Sequence, residues 1–293
     1  MEERLILALM CGLAAALLWG VTDFVIRVAA HRVGVLRTML YAQGLGAATA
    51  WLWVAGDPAT RVPLREGSRS AWLAGAAAAL VGLGATIALY RGLQRGRVSI
   101  VAPIAGAYGV VTTIASWATG EPLTGTVIGA IGAIVIGTLL VSVPSETQTT
   151  AAETVGAHTL GIGWAALACI GYGLSFWIQG RYVNPELGPL LPVALYYLIS
   201  TIFLISATAV LRPALALSWS QARLVVGISL AAIGGFYSRR SVWGPDTLPS
   251  SRPWDPYRAR SRSHWRRSFW VSAWLHTIGS EWLRSSSGSV SFD

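Results

Sequence analysis

Charged residues punctuate this chain at long intervals, and the stretches between them are almost wholly apolar. Charge is costly in hydrocarbon, so such gaps measure candidate membrane spans, which need about 20 apolar residues for a core of ~30 Å. The gaps cover 5–26, interrupted only by Asp23, then 38–56, 70–90, 98–120, 122–145, 154–180 and 187–211. They predict seven transmembrane helices. An eighth segment starts at Leu224 but meets Arg239 and Arg240 after 15 residues, about 22 Å of helix. It starts like a span and does not finish. The connections are short and polar, as at 57–69, and the acidic, Thr-rich stretch 146–153 is the best linker between two halves.

Composition supports this reading. Of 293 residues, 54% are hydrophobic and 12% charged, with mean hydropathy +0.55; average proteins carry roughly 25% charged residues. That excludes a disordered chain and fits an ordinary soluble domain poorly. Glu2 and Glu3 make a poor basic start for a secretory signal, and six further apolar segments follow. Cys11 and Cys169 fall inside predicted spans and read as small buried apolar residues, not as a disulfide or metal site. Orientation is not settled by the loop arginines. With the N-terminus inside, Arg4, Arg61, Arg65 and Arg69 face the cytoplasm but Arg27, Arg32, Arg37, Arg91, Arg95 and Arg97 lie outside, leaning slightly against that topology.

An internal repeat is visible. Gly12, Ala14, Ala15 and Gly20 align with Gly163, Ala165, Ala166 and Gly171 at a constant offset of 151. Near an offset of 152, Leu73, Gly75 and Gly82 fall approximately against Leu224, Gly227 and Gly234. The stretch 91–141 carries a Gly-x-Val-Ser start (Gly96, Val98, Ser99), an Ala-Pro pair (Ala102, Pro103), Tyr108, a Gly-Glu-Pro-Leu turn (Gly120, Glu121, Pro122, Leu123) and a Gly-rich helix. In these features it resembles the EamA family of the drug/metabolite transporter superfamily. The resemblance implies ten helices in two inverted five-helix repeats, moving small metabolites or amino acids by alternating access. It covers the first repeat fully and the second to about Phe236.

The expected organisation is a first EamA-like repeat over 1–143, a linker over 144–158, a partial second repeat over 159–236 and an aberrant Arg/Ser/Trp-rich tail over 237–293. The fold class is an all-α polytopic membrane protein with seven to eight helices here and a disordered C-terminal tail. Among motif residues, Pro103 predicts a kink or a first-turn position. Glu121 reads as a carboxylate near the start of the next helix, favoured by its dipole. Gly125, Gly129, Ala133 and Gly137 recur every four residues and predict a small face for close helix packing.

Asp23 is the only acid inside a predicted span, which makes it a candidate proton or cation carrier. A local ion pair with Arg27, one helical turn later, is the competing reading. Trp19, Tyr41, Gln43, Tyr90, Tyr108, Thr112, Tyr172, Trp177 and Gln179 could line a substrate path, although each alone also suits packing or an interfacial belt. No catalytic or metal-binding constellation and no phosphate-cradling loop is visible, so neither an enzyme nor a cofactor is expected. The expected partners are the lipid bilayer and a small-molecule substrate, with a homodimer left open, in the inner cell membrane. A membrane-anchored binding protein would need a folded domain outside the membrane, and no loop before residue 237 is long enough.

All 22 basic residues are Arg, and the 57 residues from Tyr237 hold 9 of them with 6 of the 14 Trp. The first 236 residues carry 13 Arg against 9 acids, or +4, and the tail 9 against 4, or +5. Such a tail invites a nucleic-acid or anionic-membrane reading. Codon chemistry offers another. In a GC-rich gene, Arg, Ser and Trp codons shifted by one base yield Ala, Val and Leu, the composition of a membrane helix. Read in that frame, 237–245 permits LFAAFRLGP, close to ALYRGLQRG ending at Gly96, and 277–290 permits a string close to DRERMAPLEQWLG. The expectation is a frameshift near residue 236 that replaced about two and a half helices, so the basic tail does not argue for a nucleic-acid partner. A membrane-anchored protein with a genuine basic, lipid-binding tail is the alternative.

Overall fold

The computed structural model describes residues 2–142, 155–212 and 215–241, and the regular structure there is helical throughout. In chain order the helices are α1 (Glu2–Arg32), α2 (Val35–Gly56), α3 (Arg61–Glu66), α4 (Arg69–Arg95), α5 (Val98–Gly106), α6 (Tyr108–Ala118), α7 (Gly125–Ser142), α8 (Val155–Ile178), α9 (Asn184–Leu187), α10 (Leu191–Leu211) and α11 (Trp219–Ser241). Each predicted span contains a helix among the described residues. By length and hydropathy together, four segments of the described residues qualify to cross a membrane: Arg69–Arg95, Val98–Ala118, Leu160–Leu187 and Leu191–Leu211. That measure covers the described residues alone, so it sets no total for the chain; α2 does not qualify because Arg37, Gln43 and small residues dilute it.

Local chemistry sets the ends that charge spacing misplaced. The eighth segment begins at Trp219, five residues before Leu224, because Ser218 and Gln221 form a capping box: Ser218 Oγ accepts from Gln221 N–H (3.4 Å) and Ser218 N–H donates to Gln221 Oε1 (3.0 Å). The helix then runs through Arg239 and Arg240 to Ser241, so α11 has 23 residues and does finish a full-length helix, about 34 Å. Ser68 caps α4 through Ala71 N–H (3.1 Å), while its own N–H donates to Glu186, 118 residues away. Pro103 sits inside α5, and the helical path breaks four residues later at Ala107. It is a kink, as expected of a ring that removes a ladder donor. Gly120, at φ 92°, closes α6 with Glu121 N–H donating to Ser116 O (3.1 Å), a left-handed cap that suits glycine.

The closest helix approach joins α4 to α8, antiparallel, through small residues. Gly82 faces Ser175, Ala85 faces Gly171, Gly92 faces Ala165, and Gly96 faces Gly161, where an added Cβ on Gly161 would stand 2.7 Å from the Gly96 Cα. Backbones this close pack without a side chain between them. The predicted small face on α7 does not serve this purpose among the described residues: Gly125, Gly129 and Gly137 have open space where a Cβ would stand, and Ala133 is exposed. Helix α7 packs chiefly on α5, so nothing described here presses on that stripe.

The remaining packing is reciprocal. Helix α1 packs on α11 as α4 packs on α8; α4 packs on α10 as α2 packs on α11; and α2 packs on α10. Exchanging α1, α2 and α4 with α8, α10 and α11 maps these contacts onto one another, while α1–α4, α1–α2 and α2–α4 have no counterpart of similar extent. The main core cluster, including Ile26, Met39, Leu83, Leu93, Val101, Ala168, Leu204 and Val225, lies where these helices meet. The tail 237–293 lies outside the described residues beyond Ser241.

Candidate functional site

Four helices of the bundle meet through hydroxyls and an amide. Thr86 on α4 is buried, and its Oγ1 donates back to Gly82 O (2.9 Å), leaving the oxygen lone pairs for neighbours. Tyr196 OH of α10 lies 2.6 Å from Thr86 Oγ1, and Tyr172 OH of α8 lies 3.0 Å from it. Gln43 of α2 donates from Nε2 to Tyr196 OH (2.9 Å). The chain Gln43–Tyr196–Thr86–Tyr172 therefore ties α2, α4, α8 and α10 together. Gln43 is 5% exposed and its Oε1 has no partner. A buried carbonyl without a donor is unusual, because such groups cost about 1–3 kcal/mol unpaired.

Asp23 lies on α1, half-buried. The local pair with Arg27 is not formed. Arg27 instead donates to the carbonyls of Leu93 (3.4 Å) and Gly96, which end α4. A helix C-terminus presents unpaired carbonyls and a negative dipole end, so a guanidinium fits there. Among the described residues Asp23 has neither a hydrogen bond nor an ion pair.

Aromatic rings flank this polar chain. Tyr108 of α6 packs on Phe176 at 5.0 Å and edge-on against Tyr172 at 6.2 Å, while Tyr172 and Phe176 are 6.5 Å apart. Thr112 Oγ1 donates to Gly173 O (3.0 Å), which fixes α6 against α8. Gly173 allows this contact, since a Cβ there would meet Val111 at 2.5 Å.

Of the residues read as path candidates, Gln43 and Tyr172 are joined in one network, with Tyr108 against Tyr172; Tyr90 lies in the main core cluster. Trp19 sits one turn before Asp23, half-buried. Gln179 bonds Ser175 Oγ (3.1 Å), and Ser175 in turn donates to Ala78 O (2.8 Å), so both serve the α4–α8 contact. Trp177 packs edge-on to Tyr182 at 5.8 Å with its buried Nε1 unpartnered. Tyr41 is elsewhere: its hydroxyl donates to Leu215 O (2.6 Å) in the loop before α11. Thr86 and Tyr196 are central and were missed, because a lone Thr in an Ala-rich helix and a Tyr in a Tyr-Tyr pair look like packing. Glu121, which precedes α7, has a long-range partner that the sequence did not suggest. It pairs with Arg181 (3.7 Å) in the π-helical turn Gln179–Val183 after α8.

Comparison with known families decides the assignment. The EamA-like transporter family matches over residues 6–143, the segment that holds α1 to α7. Over this segment the chain is similar to EamA-like transporters. No curated protein and no solved structure matches significantly. The EamA-like family comprises membrane transporters of the drug/metabolite superfamily, not enzymes. With its apolar helices, the chain is an all-α, multi-pass membrane protein. Among the described residues no group of His, Cys, Asp or Glu is placed to hold a metal ion.

Proposed function

We propose that this EamA-like chain derives from a secondary transporter of small metabolites or amino acids in the inner cell membrane. The substrate path passes between the helices joined by Gln43, Thr86, Tyr172 and Tyr196. The observation that carries the reading is that network itself, which links helices from both sides of the reciprocal packing. Transporters built from repeats place substrate at such an interface. Asp23 adds an ionisable group within α1, and an acid inside a span is a default functional candidate.

The organisation that supports this is a first repeat over 1–143, a linker over 144–158 and a partial second repeat over 159–236. In this proposal the tail 237–293 is an out-of-frame translation, so the chain as written transports poorly or not at all. Uptake of radiolabelled amino acids into vesicles tests both statements. Uptake by a frame-restored gene, absent in the chain as written, supports them. Equal uptake by both removes the frameshift proposal, and none by either removes the transport reading. The 9 Arg and 6 Trp of the tail favour one other reading, a membrane-anchored protein whose tail binds anionic lipid. Retention of an isolated tail peptide on anionic but not neutral vesicles would favour it.

A further inference from the structure

Arginines are divided unequally between the two ends of the bundle. Three contacts bring the segments 27–37, 91–98 and 211–223 to one end: Arg27 donates to the carbonyls of Leu93 and Gly96, Gln221 to Arg32 O (3.0 Å) and Arg37 to Ala216 O (3.3 Å). Those segments hold eight Arg and no acid. The connections at the opposite end, 57–69, 119–124 and 179–190, hold four Arg and four acids, and the helix termini there, 2–4 and 239–240, add three Arg and two acids. The stretch 143–154, which leaves α7 and enters α8 at the Arg-rich end, lies outside the described residues and brings Glu146 and Glu153. The balance is then +6 at that end against +1 at the other. Arg27 and Arg37 spend their guanidinium groups on carbonyls, and Arg91 lies over the Trp164 ring at 5.4 Å. Arg32, Arg95, Arg212 and Arg223 are exposed, with no side-chain hydrogen bond or ion pair among the described residues. Trp219 opens α11 one turn before Arg223 and is 78% exposed, and Leu211, next in sequence to Arg212, is exposed as well.

We propose that this end of the bundle is a docking surface for the headgroups of anionic phospholipids. A guanidinium stays charged and pairs with phosphate through two parallel hydrogen bonds. The helices Arg69–Arg95 and Leu191–Leu211 are long and apolar enough to cross a membrane, so Arg95 and Arg212 stand where hydrocarbon gives way to headgroups. An exposed Trp suits the same depth, because its ring is apolar and its N–H reaches water. Exposed Trp and Leu beside unpaired Arg select a lipid over a free anion, which has no use for apolar surface. A zwitterionic headgroup carries its own cation next to the phosphate and gains less. The nearly balanced charge at the opposite end makes the preference one-sided. The inference rests neither on the transport reading nor on the tail.

The test is arginine footprinting of the full chain, reconstituted in vesicles of phosphatidylcholine alone or mixed in equal parts with phosphatidylglycerol. Phenylglyoxal, which crosses membranes and so reaches both ends, modifies free guanidinium groups, and peptide mass spectrometry reads each arginine separately from those of the tail. Arg32, Arg95, Arg212 and Arg223 are expected to react about fivefold more slowly in the mixed vesicles, the ratio that ~1 kcal/mol per surface cation gives. Arg61 and Arg65, exposed at the opposite end, share their segment with Asp57 and Glu66 and are expected to slow far less. The protection is expected to shrink at high salt. A variant with Arg32, Arg95, Arg212 and Arg223 all changed to Gln is expected to retain less phosphatidylglycerol on purification, with its melting temperature unchanged. The footprint itself needs no variant, so it stands even if that protein unfolds. Equal rates in the two kinds of vesicle, or equal slowing at both ends, would overturn the proposal. So would equal protection of the same four arginines by inorganic phosphate in phosphatidylcholine vesicles, which would make the surface a site for free anions.

Discussion

Arg27 on α1 donates to the carbonyl of Gly96, 69 residues later, at the residue that ends α4. The contact locks the ends of two helices together and takes the guanidinium away from Asp23. Replacing Arg27 with Gln is therefore expected to destabilise the fold by about 1.5–3 kcal/mol, the range for hydrogen bonds from charged donors. Thermal unfolding in detergent reads it. In a double-mutant cycle with Asp23→Asn, the coupling is expected to be under ~0.5 kcal/mol, the additivity limit for groups that do not interact. A larger coupling would restore the local ion pair.

The α4–α8 crossing depends on absent side chains. Gly161→Ala would place a Cβ 2.7 Å from the Gly96 backbone, with no flexible side chain to yield. Overpacking of this kind costs about 1–3 kcal/mol. Gly129→Ala on α7, with open space around it, is expected to leave the melting temperature unchanged or raise it slightly. Comparing the two variants separates close packing from glycine content.

This pair of glycines also shows what the sequence exposed and what it hid. Charge spacing located each helix because an ionic group in hydrocarbon is costly wherever the helix packs. It could not place helix ends, which depend on single hydrogen bonds such as the Ser218–Gln221 cap or the break after Pro103. The four-residue glycine stripe on α7 was conspicuous yet has no close neighbour among the described residues, while Gly75 and Gly82 on α4 and Gly96 at its end, at multiples of seven, face other helices. Periodicity reveals a smooth face and not its partner. The site was half legible for the same reason: Asp23, Gln43 and Tyr172 stand out as polar or aromatic in apolar segments, but Thr86 matters only through its contacts.

Thr86→Val keeps the shape of that side chain and removes the hydroxyl shared by Tyr172 and Tyr196. Two tyrosine hydroxyls then lose a partner, with an expected loss of about 1–3 kcal/mol. Thr86→Ser, which retains the oxygen, is expected to recover most of it. If Val and Ser behave alike in thermal unfolding, packing and not hydrogen bonding explains the position.

Glu121 and Arg181 join the turn after α6 to the π-helical turn after α8 at 3.7 Å, with side chains 36% and 23% exposed. A pair this open contributes about 0.2–1 kcal/mol, less in high salt. A double-mutant cycle with Glu121→Gln and Arg181→Gln is expected to give a coupling in that range at low salt that fades at 1 M salt. Undiminished coupling at high salt would mean that the pair is better shielded than its exposure suggests.

The reciprocal packing makes the frameshift proposal testable on the protein. Helix α8 receives α5 and α6 in addition to α4, whereas its counterpart α1 has α11 in the place of α4. Exchange predicts that α1 also receives a kinked helix from the chain beyond α11. A one-base correction at codon 236 would encode apolar sequence there in place of the Arg- and Trp-bearing tail. The corrected chain is expected to melt well above the chain as written and to protect α1 from labelling of a cysteine placed at Leu17 or Val21, both now exposed. Unchanged labelling and an unchanged melting temperature would show that the tail as written already completes the fold, and the frameshift proposal would fall.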